Sequence, residues 1–227
     1  MRFALRAAII VMTVLTGCND EPAQRRAFID FLQEHIIWRP GVHIVLMNEE
    51  LRKSFGPYAS HYQIILDFNS DFDLKALEAA AKLKSEVHDL AGLVEYRREL
   101  EALQQAVPGV IATVDRRLAT ADAAHAALQQ PPDLKTVYDQ AFDRLVTRPG
   151  TLLARMLPLL DKNLAAMIEL ADYVAANPNA IRIEGMDGTS NSPEIDRRLH
   201  ELLDAVHLND EAGDDLKRQF KALLSGS

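Results

Sequence analysis

Between residues 100 and 128 an apolar side chain recurs at every seventh position: Leu100, Val107, Val114, Ala121 and Leu128, with Ile111, Leu118 and His125 filling the same stripe. A seven-residue repeat keeps one face of an α-helix turned toward a neighbour for several turns, so the chain must contain long helices packed lengthwise. Strands, which alternate with a period of two, cannot use such a pattern. Pro108-Gly109 falls inside the seam and predicts either a kink or a break between two helices.

The same periodicity organises the remainder. Phe28, Phe31, Leu32 and Ile36 share a helix face that ends at Trp38-Arg39-Pro40-Gly41, and Asn48 reads as the N-cap of a short helix ending at Gly56-Pro57. Tyr58 to about Lys84 reads as one long helix through Tyr62, Ile65, Leu66, Phe72 and Leu77, and the stretch from 84 to 90 carries no proline or glycine to mark a turn. Pro131-Pro132-Asp133 ends one helix and caps the next, whose apolar face is Leu134, Val137, Ala141, Phe142 and Leu145. Another helix runs from near Pro149 to Ala176, with a bend expected at Pro158 and a stop at Asn177-Pro178-Asn179. Ile181-Arg182-Ile183 alternates and is followed by Gly185, Gly188 and a polar run, which allows at most a small β-hairpin near 181–189. Ser192-Pro193 starts a helix to about His207, and Asn209 or Asp210 caps a last one ending near Leu224. The expected fold is all-α, an elongated multi-helix bundle with coiled-coil-like long helices.

The first residues carry a different signal. Arg2 and Arg6 precede an apolar run, Ala7 to Leu15, in which only Thr13 is polar. At ~1.5 Å per residue a helix this short cannot cross a hydrocarbon core of about 30 Å, so the layout is that of a cleavable export leader. Leu15-Thr16-Gly17-Cys18 resembles the bacterial lipobox, in which the cysteine thiol is acylated and the chain is cut just before it. Residues 1–17 are therefore expected to be a lipoprotein signal peptide, 18–23 a lipidated acidic spacer containing Asn19-Asp20-Glu21-Pro22, and 24–227 the helical body. The expected location is the cell envelope, with the lipid on Cys18 as membrane anchor and the body in the periplasm. Asn19-Asp20 leaves the choice between inner and outer membrane open.

Composition removes several function classes. The chain has one cysteine, which excludes an intramolecular disulfide framework and a cysteine-rich zinc module. Its formal charge is −8, more negative still once Arg2 and Arg6 leave with the leader, and such a surface repels nucleic-acid phosphate and anionic lipid, so no nucleic-acid partner is expected. No glycine-rich phosphate loop, two-histidine zinc-protease motif or nucleophile elbow occurs. Asp187 to Arg198 lacks the glycine and the terminal glutamate of a calcium loop. The chain is thus expected to be non-catalytic and to carry no cofactor besides the covalent lipid.

Three constellations remain. Asp196, His200, Asp204 and His207 fall on one side of a helix at about 100° per residue, and two imidazoles with a carboxylate are a ligand set for zinc or another divalent ion; the alternative is a solvated face. His125 lies on the apolar seam one turn after Asp122, as a core or interface histidine or as a general base. Asp67 with Asp71, Asp139 with Asp143 and Asp30 with Glu34 are carboxylate pairs at i,i+4, which serve either an acid and base of glycoside hydrolysis or a solvated face. Finally Ile36, Ile37, Trp38, Val42, Ile44, Val45, Leu46 and Met47 crowd a proline-glycine turn. They either close one end of the core or form a partner- or ligand-facing patch anchored by Trp38 with Val42, Ile44 and Leu46.

Several blocks resemble one family. Leu15-Thr16-Gly17-Cys18, Gln24 to Gln33 (QRRAFIDFLQ), Phe55-Gly56-Pro57-Tyr58, Ala121 to Leu128 (ADAAHAAL) and Asp133 to Phe142 (DLKTVYDQAF) together resemble the YiaF-like proteobacterial lipoproteins, a domain of unknown function. The resemblance spans most of the mature chain in scattered blocks, with departures at 38–48, at Pro108-Gly109 and in the C-terminal helices. It implies an exported helical lipoprotein and supplies no catalytic residues. The functional expectation is a membrane-anchored, non-catalytic helical module that binds an envelope protein or stabilises an assembly. The alternatives are a carrier of a lipid or other apolar ligand in an inter-helix cavity and, third, an envelope glycan or peptidoglycan hydrolase.

Overall fold

The computed structural model describes residues 20–70 and 75–226. The first helix, α1 (Glu21–Leu32), begins three residues before the expected start of the body, because Pro22 sits in its first turn, where a missing N–H costs nothing. It runs on into a π-helical turn, Gln33–Ile37, closed when the Trp38 N–H donates to the Gln33 carbonyl at 2.9 Å. Residues 42–47 have no helix, turn or bend; Asn48 then accepts from the Leu51 N–H at 2.8 Å and opens α2 (Glu49–Phe55), as its sequence position predicts. A 3₁₀ turn, Gly56–Tyr58, leads into α3 (Ala59–Asn69).

The long helix expected over 58–84 is divided. Ser70 is extended, with ψ of 145°, and the Arg117 guanidinium donates to the carbonyls of Phe68 and Ser70, satisfying the end of α3 from a distant helix. Phe72 lies outside the described residues. The chain resumes as α4 (Lys75–Glu86), and Asp89, accepting from the Gly92 N–H at 2.6 Å, caps α5 (Leu90–Glu95).

Two long helices follow, ahead of a third at the C-terminal end. The first, α6 (Arg97–Ala126), passes unbroken through Pro108-Gly109, both of which face solvent, so the missing N–H leaves a carbonyl that water can reach. After α7 (Pro132–Phe142) a second π-helical turn, Asp143–Thr147, delivers the chain without a gap into α8 (Arg148–Ala176), whose Pro158 also faces solvent. A hairpin follows, β1 (Ile181–Glu184) paired antiparallel with β2 (Asp187–Ser190), Glu184 opposite Asp187 across Gly185 at φ +69°. The two helices expected over 193–224 are one, α9 (Pro193–Ser225). Asn209 and Asp210 do not cap: Asn209 donates to the Lys162 carbonyl and Asp210 pairs with Lys217 at 2.8 Å. The fold is all-α with one small hairpin, as the periodicity predicts.

The seam of α6 explains how the core is laid out. Leu100 and Val107 enter a cluster with Leu90, Leu93, Leu164, Leu170, Leu199, Leu202 and Leu203. Val114 joins Leu153 and Leu157 in a short middle cluster. Ala121 reaches a third cluster built on Phe28, Phe31, Phe55, Tyr58, Tyr62, Phe68, Tyr138 and Phe142. These four of the five seam residues are buried, and Leu128, just past the end of α6, is half-buried, so one stripe of one helix threads the three parts of the core.

Candidate functional site

The hairpin folds over the first turns of α9. Asp196 accepts from the Ser190 N–H at 2.8 Å, and the Gly185 carbonyl accepts from the Leu90 N–H at 3.0 Å, so both ends of the hairpin are tied to helices. Between hairpin and helix lies an open cleft of about 350 Å³, lined by Glu184, Met186, Asp187, His200, Leu203, Asp204 and His207. The structure thus gathers His200, Asp204 and His207 around one space and adds Glu184 and Asp187, which sequence spacing missed because they belong to a different element. Asp196 does not line the cleft: its Oδ1 holds the hairpin while its Oδ2 stays 3.6 Å from His200 Nδ1. His200 Nδ1 donates to the Asp196 carbonyl at 2.8 Å; this bond, with the carboxylates of Asp196, Asp187 and Asp204, raises the imidazole above its ordinary value. Among the described residues no three His, Cys, Asp or Glu side chains stand in positions that would hold a metal ion.

His125 finds a partner other than Asp122. Its Nε2 meets Asp139 Oδ1 at 2.8 Å and its ring stacks on Phe142, centroids 4.1 Å apart. Burial pushes the Asp139 carboxyl up, but bonds from Lys135 and His125 outweigh it and hold the group below the usual carboxylate range. Asp143 pairs with Arg148 at 2.6 Å. The Asp139 and Asp143 carboxylates therefore serve separate cations. Nearby, Gln130 Nε2 donates to His61 Nδ1 at 3.0 Å, and burial lowers the His61 imidazole from its ordinary value. Tyr138 donates to the His61 carbonyl at 2.7 Å, and Tyr58 donates to Glu21. The two tyrosines are raised mainly by burial, Tyr58 to about 12.

Residues 36–47 divide between core and surface. Ile36 is buried, while Ile37, Val42, Val45 and Met47 are half-buried against the aromatic cluster. Trp38, Ile44 and Leu46 point outward. Of the four patch residues expected from sequence, Val42 therefore belongs to the core edge. Two groups pin the segment. Tyr62 Oη accepts from the Val45 N–H at 3.2 Å and donates to the Val45 carbonyl at 2.8 Å. Arg144, in the second π-helical turn, donates to the carbonyls of Ile37, at the end of the first, and of Arg39 and Gly41 in the bend that follows it. Nothing local in the sequence marks Arg144, since its acceptors lie more than 100 residues away.

Leu15, Thr16, Gly17 and Cys18 lie outside the described residues. Asp20 is the N-cap of α1, which leaves Asn19 and Asp20 between Cys18 and the first helix.

The architecture is that of an all-α bundle closed by a small hairpin. The chain belongs to the family described as Protein of unknown function (DUF3053), whose profile matches residues 6–222. It is 32% identical over 178 residues to Uncharacterized protein YiaF of Escherichia coli (strain K12), covering 76% of this chain and 75% of that protein. The protein of the same description from Shigella flexneri matches with the same identity and coverage. No solved structure matches.

Proposed function

We propose that this chain is an envelope lipoprotein, acylated at Cys18, whose helical body works without catalysis as a binding or assembly-stabilising module for another envelope protein. The observation that carries the reading is the length of the link between anchor and body. Helix α1 starts at Glu21, so the path from Cys18 to the first helical residue is three residues, about 10 Å fully extended. A carrier that shuttles an apolar ligand across an aqueous gap needs slack, and a body held this close to its anchor has little. A module that meets a partner at the membrane benefits from the same restriction, because tethering keeps it at high effective concentration beside that partner. Two or three acyl chains at ~0.8 kcal/mol per buried methylene supply a near-permanent anchor.

The test has two parts. Cys18→Ala is expected to leave the membrane fraction on a carbonate wash, and protein that stays bound overturns the anchor. Crosslinking in intact cells is expected to recover a reproducible envelope partner from the acylated protein. Repeated surveys that recover none overturn the module, and a lipid extracted in stoichiometric amount from the purified protein gives the body to the carrier reading instead.

A further inference from the structure

We propose that the C-terminal part of α9, residues 214–225, is a releasable strap that swings off the body at a hinge over 207–213 while the rest of the fold stays closed. The two halves of this one helix are held differently. The first sinks Leu199, Leu202 and Leu203 into the leucine cluster. Three ties also cross from it to other elements: Asp196 accepts from the Ser190 N–H, the Ile195 carbonyl accepts from Tyr173 Oη at 3.3 Å, and Arg198 pairs with Glu169 at 2.5 Å. Beyond Val206 the buried residues are Gly213 and Leu216, and Phe220 is half-buried against the middle cluster of Val114, Leu153 and Leu157. Lys217 pairs with Asp210 and Asp214, and Arg218 with Asp215, all inside the segment itself. Asn209 reaches the Lys162 carbonyl at 3.5 Å, the outer edge of hydrogen-bond length.

The hinge is written in residue types. His207 to Asp214 reads HLNDEAGD, and asparagine, aspartate and glycine are poor helix formers, the first two because they bond nearby backbone in other conformations, glycine because it loses the most freedom. Gly213 is not there for fit. Its backbone is helical, and a Cβ built on it would meet the Lys217 side chain alone, at 3.4 Å, an ordinary contact with a flexible group. A glycine that neither packing nor dihedral angle calls for weakens the helix at that point and lowers the cost of opening it there.

The far end is a latch. Leu224 and Gly226 abut the Pro40-Gly41 turn so closely that a Cβ on Gly41 would collide with the Leu224 carbonyl, and one on Gly226 with the backbone of Pro40 and Gly41. Both glycines also have positive φ, +75° and +73°, so a side chain is disfavoured on either side of the contact for two reasons. The Gly41 carbonyl is held in turn by Arg144. The strap thus rests on a weak hinge, a narrow footing of Leu216 and Phe220, and a glycine-on-glycine latch. Beneath Phe220 lie Val114, Leu153 and Leu157, the smallest of the three core clusters. The strap is the occupant of that strip, and its release uncovers the apolar waist between the two ends of the core without unfolding either.

Native-state amide exchange on the full chain in detergent, followed through a series of sub-denaturing guanidinium concentrations, reads the opening directly. Amides from 208 to 225 are expected to share one opening, about tenfold or more easier than that of 199–206 and with a smaller denaturant slope, because less surface is exposed. Gly213→Ala is expected to slow exchange over 208–225 roughly fivefold, and Gly41→Ala to speed it about tenfold, each leaving 199–206 unchanged. A single rate and slope along the whole of α9 overturns the strap. So does protection that falls away steadily toward residue 225, which is fraying of a helix end. A Gly213→Ala variant that exchanges like the wild type overturns the hinge, and a Gly41→Ala variant that loosens 37–47 alone overturns the latch. Should Gly41→Ala fail to fold, a chain ending at Leu223 removes the latch from the other side. It is expected to speed exchange over 208–223 to the same degree, and unchanged exchange there overturns the proposal.

Discussion

The two ends of the core are built from different chemistry. The end around α1, α3 and α7 buries Phe28, Phe31, Phe55, Tyr58, Tyr62, Phe68, Tyr138 and Phe142, and Phe28 alone has Phe55, Tyr58, Tyr62 and Tyr138 within 6.4 Å between ring centroids. The end around α5, α8 and α9 buries leucines, with valine, alanine and isoleucine, and no aromatic ring among its buried residues. Rings fill space in few pieces, and a tyrosine adds a hydroxyl at its rim that can hold irregular backbone. Leucine at helical spacing knits long helices side by side and offers no polar handle. The irregular segments at residues 37–48 and 56–58 accordingly sit at the aromatic end, where Tyr62 holds the Val45 backbone and the Tyr58 hydroxyl ties its own turn to Glu21.

The largest effect that would sharpen this contrast comes from truncating each core. Phe28→Ala is expected to cost about 4 kcal/mol and Leu199→Ala about 3 kcal/mol by chemical denaturation, because the first removes the ring that several others touch. A smaller loss for Phe28→Ala than for Leu199→Ala would break the comparison. Next comes Arg144→Met, expected to cost about 2 kcal/mol and to speed amide exchange from 37 to 41, since one guanidinium satisfies three carbonyls there. Unchanged exchange in that segment would show that the loop is held by packing alone. Tyr62→Phe is expected to cost about 1 kcal/mol and to open 42–47 to proteolysis while cleavage at the hairpin is unchanged.

The smallest effect is in pH dependence, where the ends should move in opposite directions. At the aromatic end burial holds His61 below its ordinary 6.5, so the unfolded chain takes up a proton first as pH falls through that value, and stability there declines on acidification. At the leucine end His200 lies above 6.5, so its contribution is fully present below 6.5 and is lost as pH rises through the folded value. Amide exchange in α3 and in the first half of α9, corrected for intrinsic rate between about pH 5 and 7, reads the two signs, and a common sign refutes the assignment.

What could be read in the sequence follows the same division between local and distant causes. The seam Leu100 to Ala121 predicted a long packed helix because its period is a property of neighbouring residues, and Asn48 and Gly185 marked a cap and a turn for the same reason. The end of α3 escaped notice, since the group that satisfies it, Arg117, comes from another helix. The continuity of α9 escaped notice because Asn209 and Asp210 look like caps until Lys162 and Lys217 are seen to engage them. At the candidate sites, helical spacing brought His200, Asp204 and His207 together, whereas Glu184, Asp187 and the Asp139 partner of His125 depended on how other elements fold back.

The π-helical turn at Gln33–Ile37 sets the phase of everything after it. Such a turn holds one residue more than the α-helical path it interrupts, so deleting one residue within it would let a regular helix reach Trp38 with its aim kept, whereas deleting one from the α-helical stretch before it would swing the following side chains by about 100° relative to those upstream. The indole at Trp38 would then be re-aimed around the helix axis, away from the direction it now faces. The turn is therefore a place where the chain can gain or lose one residue and still present that face in the same direction.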